Sequence, residues 1–327
     1  MTTSAPRTSA PLGRDAWARI VALSRGRAFK VVFAMALLVA AAAILREQLR
    51  GTTAGSLLAD FRSVPPLAIG AAAAATVASY VCLAASEAWA LATIGRPLAP
   101  RRVLLVTFVA YAFSNGLGFG VATGGAARLR LYRPWGLKTR EIGTVTLLSG
   151  AAVSAAGFVT AGLALMLVPG APPVTLLLLA PVLLWAAPLR AVGRLVHRRR
   201  LVAVPVQARA VALAGGVLDW VFSGLALFLL LPGAAAADFA PFLAIFILGS
   251  LVSGLTGVPG GLGVLDAIVL TLSKHFAAPH ETAAALLLYR LIYALGPLAL
   301  VALGFAIQAL RAVRRPPPVR TVGRSGR

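Results

Sequence analysis

Ser253-Gly254-Leu255-Thr256-Gly257-Val258-Pro259-Gly260-Gly261-Leu262-Gly263 interrupts an otherwise apolar run that extends from Phe239 to Ser273. A helix crossing the hydrocarbon of a bilayer needs about 20 apolar residues. Phe239–Ser273 has that length, but Gly and Pro weaken a helix interior by about 1 and 3 kcal/mol per residue. An ordinary crossing would not cluster them at its centre. The run reads as two helical legs joined by a break, with Pro259, Gly260 and Gly261 as the hinge. Val103–Thr123 has the same character: it holds Ser114-Asn115-Gly116-Leu117-Gly118-Phe119-Gly120, with Gly116 and Gly118 as hinge and Gly124-Gly125 just beyond.

The rest of the chain sets these breaks in a membrane. Of its 327 residues 59% are hydrophobic and 12% charged, with a mean hydropathy of +0.89. Soluble domains carry roughly 25% charged residues, so a soluble fold is excluded. A disordered chain is excluded too, because there is ample apolar surface to bury. The one cysteine, Cys82, rules out disulfide scaffolds and cysteine metal sites. His197, His275 and His280 are scattered, so neither a metal nor a cofactor is expected.

The net charge of +22 invites a nucleic-acid reading, but its placement decides against one. Basic residues crowd the N-terminal tail (Arg7, Arg14, Arg19, Arg25, Arg27), residues 190–209 and the tail after Arg311, with long apolar segments between. That is the positive-inside distribution of a membrane protein facing anionic lipid. No nucleic acid is expected as a partner. The N-terminal tail also lacks a signal-peptide cleavage pattern.

Full crossings are expected at Val31–Leu45, Pro65–Ile94, Ile142–Val168, Val174–Leu189, Ala210–Leu231 and Thr282–Leu310. Loop charges then fix parity. Arg96, Arg101 and Arg102 place the link before Val103 inside, and Arg128, Arg130, Arg133, Lys138 and Arg140 place the link after Thr123 inside as well. Val103–Thr123 must enter and return. By the same count Phe239–Ser273 leaves the outer face and comes back to it. The expected fold is an all-α polytopic membrane protein with about six full spans plus two glycine-broken re-entrant hairpins that form an inverted repeat. A basic cytoplasmic tail (1–30), a single transmembrane domain (31–310) and a second basic cytoplasmic tail (311–327), read as disordered, complete the plan. Broken helices in corresponding, inverted positions point to a transporter substrate site; the plain alternative is that the glycines only allow close helix packing.

Ionisable residues inside apolar segments are candidates for function because each costs about 2.5–3.5 kcal/mol at the bilayer centre. Glu87, Asp219, Asp266 and Arg290 are such residues. Glu87 shares a helix face with Tyr80, Asp219 follows Gly215-Gly216 and precedes Ser223 by a turn, and Arg290 lies between Tyr289 and Tyr293, with Gly296-Pro297 beyond. Asp266 could instead stabilise the first turn of a half-helix. For Glu87, Asp219 and Arg290 the alternative is a buried structural ion pair, Arg290 with one of the acids.

Gly124-Gly125-Ala126-Ala127-Arg128-Leu129-Arg130 adds a chemical hint. A glycine pair opening a helix would leave backbone N–H groups free for an anion. Arg128 and Arg130 follow closely, and guanidinium suits bidentate phosphate contact. Gly124, Gly125, Arg128 and Arg130 are therefore the expected phosphate site, and Glu87, Asp219, Asp266, Tyr289, Arg290 and Tyr293 the expected cationic-headgroup site or buried charge network. Arg133, Lys138 and Arg140 read as an ordinary positive-inside loop. No nucleotide fingerprint, serine elbow or zinc motif is present, since Gly116-x-Gly118-x-Gly120 lacks a preceding soluble strand.

Tyr111–Gly136, Gly254–Asp266, Leu218-Asp219-Trp220 and Tyr289-Arg290-Leu291-Ile292-Tyr293 followed by Pro297 resemble the membrane domain of the lysylphosphatidylglycerol synthase/flippase family (multiple peptide resistance factor) and its stand-alone relatives. The resemblance covers most of the chain from the first span onward and leaves the tails unmatched. It implies a flippase that moves aminoacylated phosphatidylglycerol from inner to outer leaflet, which lowers surface negative charge and gives antimicrobial peptide resistance. Full-length members continue into a soluble lysyltransferase domain that has no counterpart here, so transferase activity is not expected. The expected partners are membrane phospholipid, a separate lipid-aminoacylating enzyme and a second copy in a homodimer. The expected location is the bacterial cytoplasmic (inner) membrane, with both termini cytoplasmic. The alternative function is a non-transporting membrane subunit that anchors or regulates a separate lipid-modifying enzyme.

Overall fold

The computed structural model describes residues 64–118, 120–180, 205–256 and 264–314. The expected span Val31–Leu45, the N-terminal tail, residues 315–327, most of 190–209 and the hinge residues Pro259, Gly260 and Gly261 lie outside them. Residues 311–314, expected in the disordered tail, instead continue the last helix. Among the described residues every regular element is helical: α1 (Pro66–Thr93), α2 (Pro100–Leu117), α3 (Gly120–Tyr132), α4 (Thr139–Met166), α5 (Val206–Phe228), α6 (Phe239–Thr256), α7 (Val264–Leu272), α8 (Pro279–Tyr289), a π-helical segment (Arg290–Leu295) and α9 (Gly296–Arg314). The described residues up to Leu298 form one compact unit, and those from Ala299 on group apart from it.

The chain is an all-α polytopic membrane protein. Five helical stretches are long and apolar enough to cross a bilayer: Pro66–Thr93, Thr139–Met166, Val206–Phe228, Ala236–Gly254 and Pro279–Gln308. Their outer faces present Val77, Val81, Leu147, Val211 and Leu218 as exposed large apolar side chains, which lipid can cover and water would not. The fourth expected crossing, Val174–Leu189, begins differently. Pro173–Leu179 is a 3-10 segment.

Helix starts follow local chemistry. α1, α2 and α8 each open with Pro at a first-turn position, where no N–H is needed. At α4 and α8 a carboxylate three residues in reaches back: Lys138 N donates to Glu141 Oε2 at 2.6 Å and Ala278 N to Glu281 Oε2 at 2.9 Å.

Small residues bring α1, α4 and α5 together. A Cβ on Gly215 would lie 2.6 Å from Ala85 Cβ and 2.8 Å from the Cys82 carbonyl, and one on Gly216 would lie 2.6 Å from Ala156 Cβ. The glycine pair thus sits where α5 crosses both neighbours, the close backbone approach that membrane helices use. Trp220 locks the crossing: its indole Nε1 donates to the Val153 carbonyl at 2.8 Å, against the bare face of Gly157.

Each of the two glycine-rich stretches is flanked by helices. In the first, α2 ends at Gly118, whose φ of +74° is open to glycine at little cost, and α3 begins two residues later. Thr123 Oγ1 donates to the Gly118 carbonyl at 2.7 Å and closes the turn. Gly116 is not at the break. It lies inside α2, where a Cβ would come within 2.8 Å of Leu298. In the second stretch the described helical residues are the 18 of α6 and the nine of α7; at 1.5 Å per residue α6 alone approaches the roughly 30 Å of a hydrocarbon core.

Candidate functional site

The glycine pair Gly124-Gly125 does not open a helix. α3 starts at Gly120, so both glycines are already a turn inside it, and their N–H groups belong to the helix. Their smallness serves packing instead. A Cβ on Gly124 would collide with Ser114 Oγ and sit 3.1 Å from the Ala110 carbonyl and 3.2 Å from Arg128 Nη1. The pair lets α3 lie against α2 and makes room for the arginine one turn on.

Arg128 and Glu87, expected at opposite ends of a substrate, meet each other. Arg128 Nε donates to Glu87 Oε1 at 2.9 Å and Nη2 to Oε2 at 2.7 Å, the bidentate fork of guanidinium on carboxylate. Tyr132 O–H donates to Oε1 at 2.8 Å, and Arg128 Nη2 reaches Ser149 Oγ at 3.4 Å. The guanidinium lies over the Tyr111 ring, 5.3 Å from its centroid. Both charged residues are buried, Glu87 at 0% exposure and Arg128 at 3%. The cluster ties α3 to α1 and α4. Arg130, two residues on, is half-buried.

Arg290 pairs with Asp266: Nη2 to Oδ2 is 2.6 Å. Arg290 does meet an acid, but the acid is Asp266 on α7 rather than Glu87 or Asp219. Tyr289 and Tyr293, one turn apart, stack with centroids 5.0 Å apart and an interplanar angle of 17°, while Tyr289 meets Phe246 of α6 edge-on.

That leaves Asp219, at 4% exposure in the middle of α5. Among the described residues it makes no ion pair. Ser79 Oγ–H donates to its Oδ1. With that proton committed, the 2.9 Å contact between Ser79 Oγ and Tyr293 OH has Tyr293 as donor, so two hydroxyls in series point at the carboxylate. Tyr80 O–H donates to the Tyr293 carbonyl at 3.1 Å, and Asn115 Nδ2 reaches Tyr80 OH at 3.4 Å. The Tyr293 carbonyl is available for a reason. Its helical donor would be the amide four residues on, which is Pro297, and the π-helical segment Arg290–Leu295 directly precedes Gly296-Pro297. The chain of polar groups runs from Asp219 through α1 and the π segment to the last turn of α2, next to the break at Gly118.

Ser79, Asn115, Tyr111, Tyr132 and Ser149 were not singled out from sequence. Ser79 had a signal: it belongs to the buried small-polar stripe Thr76, Ser79, Ser86 and Thr93 along α1, at helical spacing. Ser223, a turn after Asp219, donates to the Trp220 carbonyl instead.

A helical membrane protein with a buried carboxylate approached by a hydroxyl chain, flanked by two internal ion pairs, is the class defined here. No protein-family model matches the chain. It is 25% identical over 277 residues to the Synechocystis sp. protein named Uncharacterized protein slr0712, covering 80% of this chain and 85% of that one. It is also 26% identical over 253 residues to Inner membrane protein YbhN of Escherichia coli, covering 72% of this chain and 78% of that protein.

Proposed function

We propose that this protein is a lipid translocator of the bacterial cytoplasmic membrane, multi-pass with both termini inside, which moves aminoacylated phosphatidylglycerol or a related phospholipid from the inner to the outer leaflet. The observation that carries the reading is Asp219, a carboxylate deep in an apolar helix and without a cation of its own among the described residues. Such a group is expensive to keep in a membrane interior and marks a site for a positively charged partner. The amino group of an aminoacylated lipid is such a partner. Glu87 and Arg128 neutralise each other, so the cationic headgroup falls to Asp219, and Arg130 of α3 is assigned to the lipid phosphate. The helix break at Gly118, the resemblance to the lysylphosphatidylglycerol flippase domain and the likeness to an inner membrane protein support the same reading.

Leaflet exchange in proteoliposomes tests it. The folded wild type is expected to move lysyl-phosphatidylglycerol, and Asp219→Asn to slow that lipid more than unmodified phosphatidylglycerol. Loss of a desolvated charge partner costs about 2–5 kcal/mol, enough to shift the preference tenfold or more. An unchanged ratio between the two lipids would remove Asp219 from the site.

A further inference from the structure

We propose that Asp219 is also a proton-binding site, and that its carboxylate holds either a proton or the ammonium group of the lipid, never both, so that lipid export is exchanged for proton entry. This rests on the translocator reading and names what drives it.

The geometry has two parts. First, the carboxylate is buried and lacks a counter-cation among the described residues, so its resting state in the membrane requires a cation from elsewhere. A proton and an ammonium satisfy that need at the same oxygens. Occupancy by one therefore excludes the other. Second, the Tyr293–Ser79–Asp219 chain is directional and reversible. With the carboxylate ionised, Tyr293 donates to Ser79 and Ser79 donates to Oδ1. With the carboxyl protonated, its O–H can donate to Ser79 Oγ, and Ser79 can donate to Tyr293. Both hydroxyls rotate and neither side chain needs to move.

The step balances. When the lipid ammonium leaves to the outer side, a hydronium ion there gives up a proton, an O–H bond forms on Asp219, and water remains. When the neutral acid is exposed inside, the O–H bond breaks, water takes the proton, and the carboxylate is free for the next ammonium. One proton enters for each cationic headgroup that leaves.

The other groups around Asp219 do not take this role. On α1 the titratable neighbours are Tyr80, Cys82 and, two turns on, Glu87, which is engaged by Arg128. α6 contributes no titratable side chain; α4 contributes Arg140 and Glu141 in its first turn, and α8 contributes His280 and Glu281 in its first turn and Tyr289 at its last residue. On α5 itself the other is Arg209, in the first turn. Tyr111 of α2 and Tyr293 of the π segment are phenols, and Arg290 is held by Asp266.

The experiment uses the full chain in proteoliposomes and in lipid nanodiscs. In the vesicles, an imposed gradient with acid on the outer-leaflet side is expected to speed lysyl-phosphatidylglycerol movement by up to about tenfold per pH unit, the ratio of proton activities, and to leave unmodified phosphatidylglycerol unchanged. In the nanodiscs, infrared difference spectra are expected to show a protonated carboxylic acid band that titrates with pH, is absent from Asp219→Asn and disappears when lysyl-phosphatidylglycerol is added. Ser79→Ala keeps the carboxylate but removes its donor, so it is expected to displace the midpoint of that band and serves if Asp219→Asn does not fold. Lysyl-phosphatidylglycerol movement that ignores the gradient, with no band assigned to Asp219, overturns the proton site and leaves the translocator standing. Absence of movement of any lipid by folded protein, with or without the gradient, overturns both.

Discussion

Tyr80 donates its phenol proton to the backbone carbonyl of Tyr293 at 3.1 Å, at the carbonyl that Pro297 deprives of its helical donor. The proline and the tyrosine lie on different helices and far apart in sequence. Together they let a helix defect sit in a dry interior, because the freed acceptor has a partner.

That relationship gives the first prediction. Tyr80→Phe keeps the ring against Phe108 and Tyr293 but removes the donor, so it should lower stability by about 1 kcal/mol. Thermal unfolding in detergent checks this. A loss no larger than that of a surface control would mean the defect does not depend on Tyr80.

The Glu87–Arg128 pair predicts strong non-additivity. Glu87→Leu or Arg128→Met alone leaves a buried charge without its partner and should cost about 3–5 kcal/mol. The double variant, apolar at both positions, should be markedly more stable than either single one. Folded yield and melting temperature of the four proteins decide it. Strictly additive losses would argue against a closed pair and return Arg128 to the phosphate site.

Gly124 and Gly143 make a contrasting pair. Gly124→Ala places a methyl against Ser114 Oγ and the Ala110 carbonyl and should destabilise by about 1–3 kcal/mol through overpacking. Gly143→Ala, within α4 with nothing inside 4 Å, should be neutral or gain up to about 1 kcal/mol of helix propensity. Equal effects at the two sites would contradict the packing role of the first.

The orientation of the α2–α3 hairpin is open to labelling. In a Cys82→Ala background, Lys138→Cys should resist an impermeant thiol reagent added to intact cells and react in inverted vesicles. Lys138 is exposed, whereas its neighbour Leu137 is buried and would be silent. Reaction from outside would mean that α2 and α3 do not return to the inner face.

Much of this architecture is legible in the sequence, because long apolar runs and Gly or Pro clusters act locally. The helix break at Gly118 lies inside the quoted glycine cluster, and the π segment directly precedes Gly296-Pro297. The pairing of charges is less legible. Glu87, Asp219, Asp266 and Arg290 stand out by their position in apolar runs, but which acid meets which base depends on helix crossings set by Gly124, Gly215 and Gly216. Arg128 reads as a phosphate ligand beside a basic loop, because the run of positive residues around it conceals that α3 begins at Gly120 and carries the side chain inward to Glu87. Ser79 is missed for a related reason: a serine among alanines carries little signal until α5 brings Asp219 against it.

The Glu87–Arg128 pair also bears on how the chain enters the membrane. Glu87 precedes Arg128 by 41 residues, so at about 5–20 residues per second a ribosome delivers the acid roughly two to eight seconds before the base. Through that interval α1 carries an uncompensated carboxylate, a penalty of about 2.5–3.5 kcal/mol for residence in lipid. The following hairpin relieves that penalty when it arrives beside the helix, and nascent chains arrested before Arg128 are expected to hold α1 less firmly in the membrane than longer ones.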